Sequence, residues 1–221
     1  AHAATAANHH SRGGIELVVG NQAFHRDIVG VKPGQPAVVI HDGIHGINDL
    51  RRRIDRVVKS LITHHQLNTT TRVMIRGSGG MGKAVIAAFR DAGFTDVIIA
   101  ARNRESGPAL AKQYGFQWQP QPEGIACDIL VNVTPVGMSG GKESHELAFS
   151  EAMVSTASVV FDVVALPPET PLIRLAQRLD KQTISGAEVI ALQAVEQFAM
   201  YTGVRPDAQL IAEAAQFARE G

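Results

Sequence analysis

Gly77, Gly79 and Gly82 stand at the spacing G-x-G-x-x-G, which suits a backbone that binds a diphosphate. Gly77 permits a tight turn, and Gly79 has no side chain, so a pyrophosphate can approach the main chain. Gly82 lets the following helix pack closely on a sheet. The same spacing also occurs in glycine-rich turns of other α/β domains, so the flanking elements must decide between the two interpretations.

The segments around these glycines have the pattern of a strand, a turn, a helix and a second strand. An apolar run covers 73–75, a helical pattern of apolar residues covers 84–89, and another apolar run covers 97–100. This order predicts a dinucleotide-binding βαβ unit whose helix N-terminus directs unpaired N–H groups at the phosphates. We therefore expect the whole turn to contact the cofactor, namely Gly77, Ser78, Gly79, Gly80 and Met81.

The segment after the second strand selects between NAD and NADP. NAD-binding folds usually carry an acidic residue there, which binds the ribose 2′-hydroxyl. This chain has Arg102, Asn103 and Arg104 instead, and a guanidinium matches the oxygens of a 2′-phosphate. The alternative is that both arginines are only solvated at a helix start, although positive charge is unfavourable there. Glu105 could pair with either arginine or repel the phosphate, but the arginines predict NADP(H) as the cofactor.

Motifs in four segments of the chain resemble, in the same order, those of one enzyme family. Their sequences are GSGGMGKA at 77–84, NVTPVGM at 132–138, DVVALPPETPL at 162–172 and G-x6-Q-x4-F at 186–198. Together with Asn103-Arg104, they resemble the shikimate dehydrogenase family. In detail they are most similar to its shikimate-dehydrogenase-like branch, whose substrate need not be shikimate.

The resemblance implies hydride transfer between NADP(H) and a cyclic hydroxy or keto acid, such as shikimate or 3-dehydroshikimate. It also implies that Gln193 binds a substrate hydroxyl; the alternative is a glutamine on a helix surface. The contacts it implies around the nicotinamide half of the cofactor are Asn132, Val133, Thr134, Pro135, Met138, Val163 and Gly186. For Asn132, the alternative is a buried turn in which its side chain caps backbone groups. Ala165 replaces the tyrosine usual in the family, which leaves the identity of the substrate open.

Residues 1–65 lack the motifs that supply the catalytic lysine and aspartate of this family. Hydride transfer at a carbinol carbon needs a general acid/base within hydrogen-bond reach of the hydroxyl. The segment His41-Asp42-Gly43 lies too far upstream of the glycine loop to match, and Asp55 has the wrong neighbours. The catalytic residues therefore stay unassigned from the sequence.

Short apolar runs alternate with helical stretches between residues 66 and 186. The runs cover 73–75, 97–100, 129–131, 159–164 and 183–184, and the helical stretches after the arginines cover 108–114 and 170–179. Continuous apolar runs predict strands that are buried on both faces of a parallel sheet. We therefore predict an α/β fold, with a Rossmann-type doubly wound parallel sheet as an NADP-binding domain over 66–186. A short, divergent or truncated segment over 1–65 precedes it, and C-terminal helices over 187–221 pack near the substrate cleft.

The composition argues against several other classes of function. The 221 residues include 21 Lys+Arg and 21 Asp+Glu, so no overall charge attracts nucleic acid or an anionic membrane. No apolar run has the length of a membrane helix, and no secretory signal is visible. Cys127 is the only cysteine, which fits a reducing cytoplasm. His9 and His10 have no third ligand at a metal-site spacing, so we expect no metal.

These observations predict an NADP-dependent oxidoreductase of the shikimate dehydrogenase family that acts on a small cyclic acid; a homodimer stays open. The alternative is a protein that binds NADP(H) without turnover, left by truncation of such an enzyme. A Lys–Asp pair ahead of the glycine loop would discriminate between the two, and none is visible in the sequence.

Overall fold

The computed structural model describes residues 27–29, 38–40, 47–204 and 206–207. The strands are β1 Asp27–Val29, β2 Val38–Ile40, β3 Val73–Arg76, β4 Val97–Ala100, β5 Gln117–Gln119, β6 Ile129–Asn132, β7 Val159–Asp162 and β8 Gln182–Ile184. The helices are α1 Ile47–His64, α2 Gly80–Asp91, α3 Ser106–Tyr114, α4 Glu151–Thr156, α5 Pro171–Arg178 and α6 Gly186–Thr202. Strands β1 and β2 form a separate antiparallel pair.

A six-stranded parallel sheet in the order β5-β4-β3-β6-β7-β8 forms the centre of the fold. The register places Val73 of β3 opposite Val97 of β4 and Ile129 of β6. This is the doubly wound order in which the chain direction across the sheet reverses between β3 and β6. The predicted Rossmann-type α/β fold is confirmed. Ligands of such sheets bind beyond the carboxyl ends of the strands at this reversal.

Helices cover both faces of the sheet, which explains the continuous apolar runs. On one face, Val73 and Ile75 of β3 share a core with side chains of α1, α2, α3 and α6. On the other face, Met74 shares a core with side chains of α4 and α5. Because side chains alternate along a strand, Arg76 follows Met74 onto the second face at the carboxyl end of β3.

Local sequence explains where the helices near this carboxyl edge begin and end. Thr170 caps α5, since its hydroxyl accepts the N–H of Ile173 at 3.2 Å, and Pro171 occupies the first turn. Ser185 caps α6 by accepting the N–H of Glu188 at 3.3 Å. Helix α3 ends at Gly115, whose φ of 73° is left-handed. These caps place the first turns of α5 and α6 at the carboxyl edge of the sheet.

Strand β5 and helix α4 were missed by the sequence analysis. The three residues of β5 read Gln-Trp-Gln and form an edge strand, so they carry no continuous apolar run. Helix α4 has only six residues, too few for a helical period to be recognised. The other predicted strands and the helices after the arginines are found within two residues of their expected bounds.

Some predictions fall beyond the part of the chain that the structure describes. These concern the segment His41-Asp42-Gly43, the clustered His9 and His10, and a second helix after residue 207. The division of the chain at residues 65 and 186 stays a prediction. Helix α1, which ends just before the first boundary, contributes Ile54, Val57, Val58, Leu61 and Ile62 to the core on one face of the sheet. Within the described residues, no helix has the length and apolarity needed to cross a membrane.

Candidate cofactor-binding site

A cavity of about 270 Å³ lies at the carboxyl edge of the sheet, where the strand order reverses between β3 and β6. It is lined by Arg76, Gly77, Ser78, Gly79, Ala100, Ala101, Arg102, Asn103, Pro120, Gln121, Pro122, Val133, Thr134, Pro135 and Val136. The structure therefore brings together the glycine loop, the segment after β4 and the segment after β6. The residues 120–122 follow β5 and form a wall that sequence reasoning missed along with that strand.

The glycine loop leaves its central position open toward this cavity. A Cβ atom at Gly79 would meet no atom within 4 Å, whereas one at Gly82 would lie 2.8 Å from the carbonyl oxygen of Gly77. Gly77 itself has a φ of 124°, which side chains rarely adopt. Helix α2 starts after Gly79 without a side-chain cap, so its first N–H groups have no side-chain acceptor and suit an anion.

The segment after β4 is shaped by Asn103. Its Oδ1 accepts the backbone N–H groups of Glu105 at 2.9 Å and Ser106 at 2.8 Å, which organises the turn into α3. The hydroxyl of Ser106 lies 2.9 Å from the hydroxyl of Ser78, which joins this turn to the glycine loop. Arg104 is exposed beside it. A direct contact of Asn103 with a cofactor stays a prediction.

The acid that pairs with Arg102 is Glu143, not the neighbouring Glu105. Nη1 of Arg102 lies 3.4 Å from Oε1 of Glu143, which belongs to the loop between β6 and α4. The Arg102 side chain keeps 68% of its accessible surface and that of Glu143 keeps 28%. The guanidinium is thus open to a ligand but already has one carboxylate partner.

Arg76 is a cavity residue that sequence reasoning missed. It ends β3, and its Nη1 donates hydrogen bonds to the carbonyl groups of Leu147, at 3.4 Å, and Ala148. Burial lowers the pKa of this guanidinium from its usual value. The available signal was a charged residue directly after an apolar strand and directly before the first glycine.

A buried polar network fixes the loops after β6 and β7. Asn132, Asp162 and Thr170 are each 0% exposed. Nδ2 of Asn132 donates to Oδ1 of Asp162 at 3.0 Å, and the hydroxyl of Thr170 donates to Oδ2 of Asp162 at 2.7 Å. The backbone N–H of Val164 also donates to Oδ1 of Asp162 at 3.0 Å. One carboxylate therefore holds the loop after β6, the loop after β7 and the cap of α5 together.

Asn132 also caps its own loop. Its Oδ1 accepts the backbone N–H of Thr134 at 3.0 Å and the hydroxyl of Thr134 at 2.6 Å, and its Nδ2 donates to the carbonyl of Val136 at 3.2 Å. The structure gives this side chain the capping role that the sequence analysis held as the alternative. Thr134, Pro135 and Val133 line the cavity, so a cofactor contact through this loop rests on them, and one through Asn132 stays a prediction.

Replacement of Asp162 with asparagine is expected to change how stability depends on pH. Burial raises the pKa of Asp162 above its ordinary value of 3.8, although the hydrogen bonds from Thr170, Val164 and Asn132 act in the opposite direction. A raised pKa contributes stability below pH 3.8 that is lost as pH rises through the folded-state value. Asparagine does not ionise, so in D162N the unfolding free energy should fall less as pH rises through this range. Urea denaturation at a series of pH values measures the difference.

Asp180 offers a matched control for this experiment, because it is an exposed aspartate with a φ of 54°, which asparagine tolerates. The pH profile should change more in D162N than in D180N, because Asp162 is buried and Asp180 is exposed. An unchanged profile in D162N would contradict the role of burial at this carboxylate.

The remaining predicted contacts lie along the same edge of the sheet, toward β7 and β8. The backbone N–H of Ser139, next to Met138, donates to the carbonyl of Leu166 at 2.8 Å. Met138 and Leu166 each keep 41% of their surface exposed. Gly186 begins α6 directly against the loop after β7, since a Cβ there would lie 2.6 Å from the backbone nitrogen of Ala165.

Val163 and Gln193 complete this part of the predicted site. Val163 is partly buried after β7, and its N–H donates to the carbonyl of Asn132 at 3.1 Å. Gln193 is partly buried on α6, about 10 Å along the helix from Gly186. Gly80 and Met81 are the first two residues of α2, directly after Gly79. Ligand contacts for these residues stay predictions.

Lys59 and Asp55 form an ion pair, but they lie far from the glycine loop. Nζ of Lys59 is 3.0 Å from Oδ2 of Asp55 and 3.8 Å from Oδ2 of Asp91. Asp91 ends α2, about 16 Å along the helix from the glycine loop. This pair therefore lies near the amino edge of the sheet and is not the acid/base of the predicted reaction.

Cys127 is likewise remote from the chemistry. It is buried, and burial raises the pKa of its thiol to about 11, so no thiolate forms near neutral pH. It is a small buried residue shortly before β6.

Known proteins with similar sequences identify the family of this chain. The model of the family "Shikimate / quinate 5-dehydrogenase" matches residues 60–123. A shikimate dehydrogenase-like protein of Haemophilus influenzae is 56% identical over 162 residues, which cover 73% of this chain and 60% of that protein. The chain thus spans about 60% of the length of this relative.

Two solved structures are similar to the fold described above. A shikimate 5-dehydrogenase-like protein superposes with a TM-score of 0.73 at 48% identity, covering 87% of this chain and 66% of the other. Shikimate 5-dehydrogenase of Thermus thermophilus, in complex with NADP(H) and shikimate, has a TM-score of 0.61 at 27% identity, covering 75% and 62%. The glycine loop and the strand order at its cavity agree with these matches, and this chain belongs to the shikimate dehydrogenase family.

Proposed function

We propose that this chain is an NADP-dependent oxidoreductase that acts on a cyclic hydroxy or keto acid. The observation that carries the proposal is the open glycine loop at the point where the strand order reverses, with two exposed arginines after the neighbouring strand. NADP supplies a nicotinamide that accepts or donates a hydride.

The residues of the site fit NADP in a specific way. The pyrophosphate lies over Gly79, where no atom fills the space of a side chain, and accepts hydrogen bonds from the first N–H groups of α2. Arg102 and Arg104 bind the 2′-phosphate, because no acidic residue stands at the end of β4 to take a ribose hydroxyl instead. The structure of the Thermus thermophilus relative in complex with NADP(H) supports this cofactor.

The substrate lies on the β7 and β8 side of the site. Gln193 binds a hydroxyl of the substrate, and Met138 packs beside the nicotinamide near Leu166. The relative that binds shikimate supports a cyclic hydroxy acid such as shikimate or its 3-keto form. Ala165 makes this part of the site larger and less polar than a tyrosine would, so an analogue of shikimate also fits the proposal.

Calorimetry and absorbance spectroscopy test this function in two steps. Titration with NADP⁺ should give saturable heat, and NADP⁺ with shikimate should give absorbance at the reduced-nicotinamide band. No heat from NADP⁺ at millimolar concentration would refute the cofactor assignment. Binding of NADP⁺ without reduction in the presence of shikimate and related cyclic acids would indicate the alternative, a protein that binds NADP(H) without turnover.

The relatives do not favour that alternative, because they are shikimate dehydrogenases and a shikimate-dehydrogenase-like protein. A homodimer, a cytoplasmic location and the division at residues 65 and 186 remain predictions from the sequence.

A further inference from the structure

We propose that Glu143 weakens the preference for NADP over NAD by competing with the 2′-phosphate of NADP for Arg102. This inference rests on the proposed function, since it concerns the same arginine. Glu143 lies 41 positions from Arg102 in the chain, yet their side chains form an ion pair of 3.4 Å across the rim of the cavity.

The backbone around Glu143 is held in place, so its carboxylate stays close to Arg102 even when the ion pair opens. The carbonyl of Glu143 accepts the N–H of Gly137 at 2.9 Å and that of Glu146 at 3.2 Å. A few residues further on, Arg76 donates hydrogen bonds to the carbonyls of Leu147 and Ala148. Arg76 therefore holds this loop in place, and the loop places the carboxylate of Glu143 next to Arg102.

NADP and NAD differ in the group that they place next to Arg102. The 2′-phosphate of NADP needs the fork of N–H donors on the guanidinium, and it carries negative charge that an adjacent carboxylate repels. NAD has a hydroxyl at the same position and neither requirement applies to it. Glu143 therefore weakens binding of NADP more than binding of NAD.

The size of the effect follows from exposure. Arg102 keeps 68% and Glu143 keeps 28% of its side-chain surface, so water screens the ion pair and the phosphate can displace the carboxylate. Glu143 thus reduces the preference for NADP without abolishing it.

Replacement of Glu143 with glutamine tests the proposal. E143Q should lower the dissociation constant for NADP⁺ about two- to fivefold, the range that an exposed ion pair supports, and leave that for NAD⁺ unchanged. Both constants are measured by calorimetry at low salt, and the gain should shrink as salt is added. E146Q is the control: it removes the same charge from an exposed residue of the same loop and should leave the ratio of the two constants near that of the unchanged protein.

A double-mutant cycle shows whether Glu143 acts through Arg102. In an R102A background the gain from E143Q should become smaller, because the shared partner is gone and only direct repulsion of the phosphate remains. A gain that is undiminished in R102A, an equal gain for NAD⁺, an equal gain in E146Q or no gain would each overturn the proposal. Absence of any NADP⁺ binding by the unchanged protein would instead refute the proposed function, so the two failures are distinguishable.

Discussion

Replacement of Gly79 with valine should weaken NADP⁺ binding by on the order of 100-fold while the protein still folds, since forced contacts cost about 1–3 kcal/mol or more. The fold tolerates the change because a Cβ at this position meets no protein atom within 4 Å. Its φ of −72° and ψ of −168° are also open to valine. The space that the side chain would fill is the space assigned to the pyrophosphate. Calorimetry measures the affinity, and thermal denaturation measures the fold.

Gly82 provides the contrasting control within the same loop. A Cβ there would lie 2.8 Å from the carbonyl oxygen of Gly77 and 3.3 Å from a methyl group of Val133, so G82A must shift backbone atoms. We expect G82A to lower the melting temperature and G79V to leave it nearly unchanged. Normal NADP⁺ affinity in G79V would show that the pyrophosphate lies elsewhere.

Replacement of both Arg102 and Arg104 with alanine should reduce the free energy of NADP⁺ binding by about 2–4 kcal/mol. This range takes about 1.5–3 kcal/mol for each charge-assisted hydrogen bond, with incomplete additivity between neighbours. Binding of NAD⁺ should change little, because it lacks the phosphate that the guanidinium groups bind. Calorimetric titration with each cofactor gives the ratio of the dissociation constants for NADP⁺ and NAD⁺.

A remote arginine controls for the loss of positive charge. Arg90 is exposed in the last turn of α2, at the far end of that helix from the glycine loop, and R90A should leave the preference for NADP⁺ intact. The single variants R102A and R104A show how much each arginine contributes to the free energy of NADP⁺ binding. Arg104 should contribute the larger share, since Arg102 is also paired with Glu143. An unchanged ratio in the double variant would exclude both arginines as the phosphate site.

Much of the site could be predicted because its chemistry is local in the chain. The glycine spacing, the apolar strands on either side and the arginines after β4 lie within about thirty residues, and standard backbone geometry places them around one cavity. The wall at 120–122 was missed because β5 is a polar edge strand without an apolar period. Arg76 was missed because a strand pattern says nothing about a charged residue at the strand's last position.

The sequence alone determined the doubly wound sheet, the position of the glycine loop and the presence of two arginines where a 2′-phosphate would lie. Tertiary structure decided which partners these residues have. It places Glu143 on Arg102, Asp162 between the loops after β6 and β7, and the Asp55–Lys59 pair near the end of α2 away from the site. The physical reason is that strand and turn periodicities act over a few residues. Contacts between residues 30 or 41 positions apart depend on how loops from different strands meet at the edge of the folded sheet.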